Sequence, residues 1–321
     1  MAGPVRSQFT AKSTAAEVLA GRDLSGRTMV VTGGASGIGY ETSLALAAAG
    51  ARVLLAVRDP AAGRTAAEAI SRSTGNPEVL VCELDLMRPA SVRACAAWIA
   101  QAAPKLDALI ANAGISYTPD VWTPEGLERR FATNHLGHAL LTGLLLPQLR
   151  AAAPSRVVVV SSAAHKRSAV VFEDIHYRER PFDPFDAYGQ SKTANILYAI
   201  AFSRRFGGDG VLANALAPGS ILTRLQRHIS KERMIVNGLL AADGSPSPNL
   251  KTAAQGAATS AWAAVAPELV GVGGLYLENC REAEPVGPAT VAWEGWAAHA
   301  RDPAAAERLW AATEALVGPL A

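Results

Sequence analysis

The stretch AYGQSKTANI, residues 187–196, sets Tyr188 and Lys192 four positions apart. On a helix such positions share a face, so phenol and ammonium point the same way. A phenol ordinarily keeps its proton to about pH 10 and a lysine to about pH 10.4. A neighbouring ammonium stabilises phenolate, which moves a tyrosine toward the range where it exchanges protons with a substrate. The pair therefore suits proton transfer. The same spacing also describes a half-exposed tyrosine beside a solvated lysine, so the surrounding residues must decide.

A second chemical element lies near the start of the chain. In VVTGGASGIGYE, residues 30–41, Gly33, Gly37 and Gly39 are spaced T-G-x-x-x-G-x-G, with Ala35, Ser36 and Ile38 among them. Glycines between a strand and a helix permit a tight turn and let phosphate approach backbone N–H groups at the positive helix end. Dinucleotide binding is the expectation. Cofactor choice is read after the second strand, VLLAVRDP, where an NAD site would offer a carboxylate to the ribose hydroxyls. Arg58 stands there instead, and a guanidinium suits a 2′-phosphate. The reading favours NADP(H) over NAD(H), although Asp59 follows directly.

These groups need a scaffold. β-branched runs at 28–32, 52–57, 78–84, 106–111, 156–161, 211–217 and 274–278 alternate with helical stretches at 40–49, 60–73, 89–102, 125–150, 187–206 and 251–265. Strands apolar throughout are buried on both faces, the mark of a parallel sheet between helices. The expected fold is α/β, a doubly wound Rossmann-type domain with a central parallel sheet of about seven strands. Residues 1–26 read as an extension in which a Thr14–Glu17 capping box starts a short helix through Leu19. Residues 27–321 read as one domain, with substrate loops near 165–186, 220–250 and 281–302.

Bulk composition narrows the partners. Of 321 residues, half are apolar and 18% charged, with a net charge of +2, so no basic patch calls for nucleic acid. The apolar runs are too short to span a membrane, and the N-terminus lacks the apolar segment of a signal peptide. Cys82, Cys95 and Cys280 have no CxxC spacing and suit buried free thiols in a reducing compartment. A cytoplasmic protein is expected.

T-G-x-x-x-G-I-G at 32–39, LDL at 84–86, NAG at 112–114, Asn134, SS at 161–162, Y-x-x-x-K at 188–192 and PGSILT at 218–223 occur in the order of the short-chain dehydrogenase/reductase family. The resemblance runs from about 27 to about 278. EGLERRFATNHLGHALLT and SSAAH make it most similar to retinol dehydrogenase and carbonyl reductase-like members. The resemblance implies an oxidoreductase that interconverts a small-molecule ketone or aldehyde with an alcohol. It implies Tyr188 as general acid/base, Lys192 as the group lowering its pKa and holding the nicotinamide ribose, and Ser162 (rather than Ser161) as the partner of the substrate oxygen. Asn134 would hold a water that relays protons from Lys192. Asp85 and Leu86 would contact adenine, and Asn112, Ala113 and Gly114 would line the adenosine ribose. Ile221 and Thr223, brought in by Pro218 and Gly219, would bind the carboxamide. Ser162 precedes Tyr188 by 26 residues, a long gap that suits either a substrate cover or an obstacle to helix-to-helix oligomer contacts. The reading allows a homo-oligomer.

Other readings are weighed beside this one. A non-catalytic dinucleotide sensor on the same fold should lack Ser162, Tyr188 or Lys192, and all three are present. An NAD-dependent alcohol dehydrogenase is the alternative in cofactor choice. Sugar-nucleotide epimerisation favours a different glycine spacing. His135 and His138 are three apart, but a metal would need a third ligand, and no metal is expected. His165 reads as a loop histidine near the substrate. Trp293, Trp296 and Trp310 read mainly as core, with a substrate wall as the lesser possibility.

Overall fold

The computed structural model describes residues 3–118, 121–287 and 293–321. Seven parallel strands form the sheet: β1 (Thr28–Thr32), β2 (Arg52–Val57), β3 (Val79–Glu83), β4 (Ala108–Ala111), β5 (Ser155–Val160), β6 (Val211–Ala217) and β7 (Tyr276–Glu278). An eighth, β8 (Arg281–Glu282), returns antiparallel, and the order is β3-β2-β1-β4-β5-β6-β7-β8. The sequence reading gave about seven. The extra strand comes from Asn279 and Cys280, whose φ values of 51° and 56° make a two-residue hairpin turn. A two-residue strand is too short to leave a periodic pattern.

Alternate strand residues serve two cores. Val30 and Leu54 face one layer, while Met29, Val31, Val53 and Leu55 face the other. This is why the strands are apolar throughout. The second layer holds α1 (Ala15–Leu19), α2 (Gly37–Ala48), α3 (Pro60–Thr74) and α10 (Ala253–Val265). α1 starts at the Thr14–Glu17 capping box and buries Val18 and Leu19. The first layer holds α4 (Pro89–Ala102), the long α8 (Pro184–Phe206) and α11 (Pro303–Val317).

The helix expected over 125–150 is divided. α5 (Arg129–Phe131) widens into a π turn at Ala132–Leu136, then continues as α6 (Gly137–Leu144) and α7 (Leu146–Ala151). A π turn arises from backbone bonding that hydrophobic periodicity does not encode, and such turns gather at functional sites. Two helices were not foreseen, α9 (Lys231–Val236) and α11. Among the described residues no helix is long and apolar enough to cross a membrane. The three cysteines are free and buried.

Candidate active site

The carboxyl ends of β1, β2, β4, β5 and β6 open into one cleft of about 1000 Å³. It straddles β1 and β4, where the strand order reverses, the usual ligand crevice of an open α/β sheet. At one end lies the glycine turn. Gly33 and Gly37 have φ of 67° and 55°, and a Cβ on Gly39 would meet the Gly33 carbonyl and come within 2.6 Å of Asn112 Nδ2. Only glycine fits there. Ser36, Ile38, Arg58, Asp85, Leu86, Asn112, Ala113 and Gly114 also line this end, whereas Ala35 packs toward the second core layer.

Arg58 is exposed at the cleft edge. Asp59 is occupied elsewhere: its Oδ1 accepts from the N–H groups of Ala61 and Ala62 at 2.9 and 3.2 Å, capping α3. Asp85 Oδ1 accepts from its own turn, at Met87 N–H.

Thr32, the first residue of the glycine motif, organises the neighbouring turn. Its Oγ1 accepts from the N–H groups of Asn112 and Ala113, both at 2.9 Å, and meets His138 Nε2 at 2.9 Å. His138 Nδ1 lies 3.1 Å from the Asn134 carbonyl, which only a protonated Nδ1 can use, so Nε2 accepts the Thr32 proton. His138 is thus a buried strut, and burial holds its pKa down at about 4. His135 meets Thr313 of α11 at 2.8 Å.

At the centre of the cleft the two serines after β5 divide their work. Ser161 Oγ donates to the Lys192 carbonyl at 2.7 Å. Ser162 Oγ accepts from Ala164 N–H at 3.1 Å, and Ser162 and Tyr188 line the cleft together. Lys192 is only 3% exposed. Its ammonium donates to the Val160 carbonyl at 3.0 Å and lies 5.5 Å from the centre of the Tyr188 ring. The electrostatics differ from the expectation that the lysine lowers the tyrosine pKa. Burial pushes Tyr188 up to about 12, partly opposed by Ser162, and pushes Lys192 down to about 8. The lysine faces the ring, with one of its three N–H groups donated to a carbonyl, and desolvation dominates.

Asn134 does not line the cleft. It is fully buried in the π turn, where its side chain exchanges bonds with the N–H and carbonyl of Ile115 at 2.8 and 2.9 Å and donates to Ser191 Oγ at 2.9 Å. Those bonds tie α8 to the segment that follows Gly114.

Beyond Tyr188 the cleft is walled by Tyr117, Phe185, Leu222, Leu225, Val236 and Trp293. Tyr117 packs edge-on against Phe185 at 4.4 Å. Pro218, Gly219, Ile221 and Thr223 close the turn, with the Thr223 methyl 3.5 Å from where a Cβ on Gly37 would lie. Arg167, Leu222 and Trp293 put a residue from each of 165–186, 220–250 and 281–302 on the cleft lining, while residues 288–292 lie outside the described residues. The tryptophans separate: Trp293 lines the cleft, Trp296 donates to the Ala283 carbonyl, and Trp310 stacks on Tyr198 in the core. His165 is a buried tether. Its Nε2 accepts from Ala297 N–H at 3.1 Å, leaving Nδ1 to donate to the Ser162 carbonyl at 2.7 Å.

The family model described as short chain dehydrogenase matches residues 27–234. The chain belongs to the short-chain dehydrogenase/reductase family of oxidoreductases. This short-chain dehydrogenase is 48% identical over 292 residues to a Streptomyces antibioticus protein named a probable oxidoreductase, covering 90% of this chain and 96% of that one. It is 38% identical to human retinol dehydrogenase 14 over 314 residues, covering 92% and 87%. A crystal structure of an uncharacterized Mycobacterium paratuberculosis protein superposes with a TM-score of 0.71 at 34% identity, covering 95% and 97%. A Pseudomonas aeruginosa structure described as an RhlG/NADP active-site complex gives 0.59 at 26% identity, covering 75% and 90%.

The sequence pattern of this dehydrogenase did not reveal a buried ion pair beneath the Tyr117 wall of the cleft. Glu128 and Arg130, both fully buried, meet at 2.8 Å. Arg130 also donates to the carbonyls of Ser116 and Thr118, at 2.6 and 3.2 Å, and so holds Tyr117 between them. The residues EGLERRF show two adjacent arginines, and nothing in their spacing tells which one turns inward.

Proposed function

We propose that the protein is an NADP(H)-dependent oxidoreductase that interconverts a ketone or aldehyde with an alcohol, Tyr188 serving as general acid or base. The observation that carries the reading is the convergence of Ser162, Tyr188 and Lys192, with the Lys192 ammonium on the Tyr188 ring face, in a cleft that begins at the glycine turn.

The residues present fit a dinucleotide. Gly39 leaves no room for a side chain against Gly33, and the helix α2 start faces the cleft where a pyrophosphate gains most from backbone N–H groups. Arg58 is exposed at the edge, and Asp59 is committed to its cap, which supports NADP(H) over NAD(H). The RhlG neighbour, described with NADP, agrees. When bound, the cofactor supplies the hydride.

The chain's own residues supply the rest. With a pKa of about 12, Tyr188 is protonated at neutral pH, the form that donates to a carbonyl oxygen during reduction. Ser162 bonds the same oxygen and steadies the charge that develops on it. Lys192 is fixed at the Val160 carbonyl, so its charge stands beside the phenol without reorganisation. Asn134 sets the Ile115 backbone and Ser191, and so the face of α8 that carries the pair. The wall of Tyr117, Phe185, Leu222, Val236 and Trp293 favours medium-to-large apolar substrates.

A panel of ketones, aldehydes and alcohols followed by NAD(P)H absorbance tests the assignment. Tyr188→Phe should lose about 10²–10⁴ in turnover, the usual share of general acid–base catalysis; full turnover in that variant rejects it. Arg58→Asp should weaken NADPH far more than NADH, and equal losses reject the cofactor preference.

A further inference from the structure

Trp293 stands on the substrate side of the cleft, against the end of α9, where a Cβ on Gly238 would lie 3.0 Å from its Cη2. What holds it there begins at the other side of the site. Lys251 N–H donates to the Ser220 carbonyl at 2.9 Å, and its stem runs under Gly219, with Cδ 2.9 Å from where a Cβ would be. The Lys251 ammonium donates to Asn279 Oδ1 at 2.6 Å. Asn279, in the turn between β7 and β8, donates through Nδ2 to Glu294 Oε1 at 3.0 Å. Arg281 donates to the other Glu294 oxygen at 3.3 Å, and Lys166 donates to the Glu294 carbonyl at 2.8 Å. Gly295 N–H bonds both oxygens of the buried Glu278, fixing the residue that follows.

The chain of bonds has a single polarity. An ammonium can only donate and a carboxylate can only accept, so the amide between them has its orientation decided. These groups are half-buried, where charge-assisted bonds are stronger than in water. The path starts beneath the 218–223 turn and ends on the residue adjoining Trp293. We infer that Lys251, Asn279 and Glu294 are positioning residues that couple the 218–223 turn to Trp293, so that the wall selecting bulky apolar substrates is set by the turn on the cofactor side. The inference rests on the dinucleotide reading of the cleft.

The test is a double-mutant cycle in the full chain. Trp293→Ala should raise KM for a bulky aryl ketone about tenfold, within the range of a lost pocket contact, and raise that for a small ketone several-fold less. Asn279→Gly, which removes the amide but suits a φ of 51°, should raise the bulky-ketone KM about fivefold in the wild-type background and less than twofold in Trp293→Ala. Glu294→Gln keeps an acceptor and should lie between wild type and Glu294→Ala. Equal effects of Asn279→Gly in both backgrounds, or an equal rise for the small ketone, overturn the coupling. A readout without turnover is tryptophan fluorescence during NADPH titration. The part of the quench lost in Trp293→Phe should also be lost in Asn279→Gly; its persistence overturns the inference. Should no carbonyl compound be turned over while this quench behaves as stated, the proposed reaction fails and the coupling stands.

Discussion

The Ser161 hydroxyl donates to the backbone carbonyl of Lys192 at 2.7 Å, pinning the end of β5 to α8 at the lysine itself. The hydroxyl of its neighbour Ser162 instead accepts from Ala164 N–H, at the cleft that Tyr188 also lines. Two adjacent serines on an extended chain point to opposite sides, so one serves the frame while the other is free to take the role proposed for it.

Substituting them one at a time should separate the roles. Ser162→Ala should cut kcat by about 10²–10³, the range for losing one donor to a developing oxyanion, with at most the small loss of stability that its half-buried cap of Ala164 N–H accounts for. Ser161→Ala removes a buried bond, and should cost about 1–3 kcal/mol of stability with a smaller kinetic effect. Steady-state kinetics beside thermal melts distinguish them. The opposite pattern would exchange the two assignments.

The Glu128–Arg130 pair makes a second prediction. Arg130→Met leaves the buried Glu128 carboxylate without its counter-charge, held only by the N–H groups of residues 130 and 131, and the carbonyls of Ser116 and Thr118 without their donor. Breaking such a pair from one side costs about 3–5 kcal/mol. The double variant Glu128→Leu/Arg130→Met should recover part of that loss, because no lone charge remains. Urea midpoints with unchanged m-values measure both, and a double variant less stable than Arg130→Met refutes the account.

Much of the site was legible because its parts are local. The capping box at Thr14, the glycine turn and the four-residue step from Tyr188 to Lys192 are each set by a few neighbouring residues. The strands were legible because β1 to β7 lie between two apolar layers. What escaped depends on partners far along the chain. Thr32 meets His138, 106 positions away, and Lys251 reaches Glu294 through Asn279. The π turn at Asn134 breaks the helical period that the sequence displays, and α9, at six residues, is under two turns and too short to show a period. The direction of the Tyr188 shift escaped too, because spacing reveals the neighbouring charge but says nothing of burial.

Three buried histidines should make the fold acid-sensitive. Burial lowers His135 to about 3 and His138 and His165 to about 4, against an ordinary value near 6.5. Between those limits the unfolded chain binds more protons than the folded one. Stability therefore falls as pH drops from about 6.5 toward 4, by up to about 1.4 kcal/mol per pH unit for each histidine. Urea unfolding at pH 7, 6 and 5 measures the slope. His138→Gln, which can keep one of the two bonds, should be less stable at pH 7 yet lose less on going to pH 5. An unchanged slope would place the proton uptake elsewhere.

The Tyr188–Lys192 pair should leave its own mark on the alkaline side. Burial holds Lys192 down at about 8, while Tyr188 keeps its proton to about 12. As pH rises through about 8 the free enzyme loses the ammonium while the phenol stays intact, so kcat/KM for carbonyl reduction should fall there and not near 10. The free enzyme governs that ratio, whereas kcat reports the bound complex. Lys192→Met should lower the plateau by about 10²–10³ and remove the inflection near pH 8. Stability responds with the opposite sign. Between about 8 and 10.5 the unfolded chain holds the lysine proton that the folded protein has released, so the lysine contribution rises with pH across that window. Activity falling while stability holds or grows between pH 8 and 10 is the expected pattern. Rates and urea midpoints falling together over that interval would mean that unfolding, rather than deprotonation of Lys192, ends the reaction.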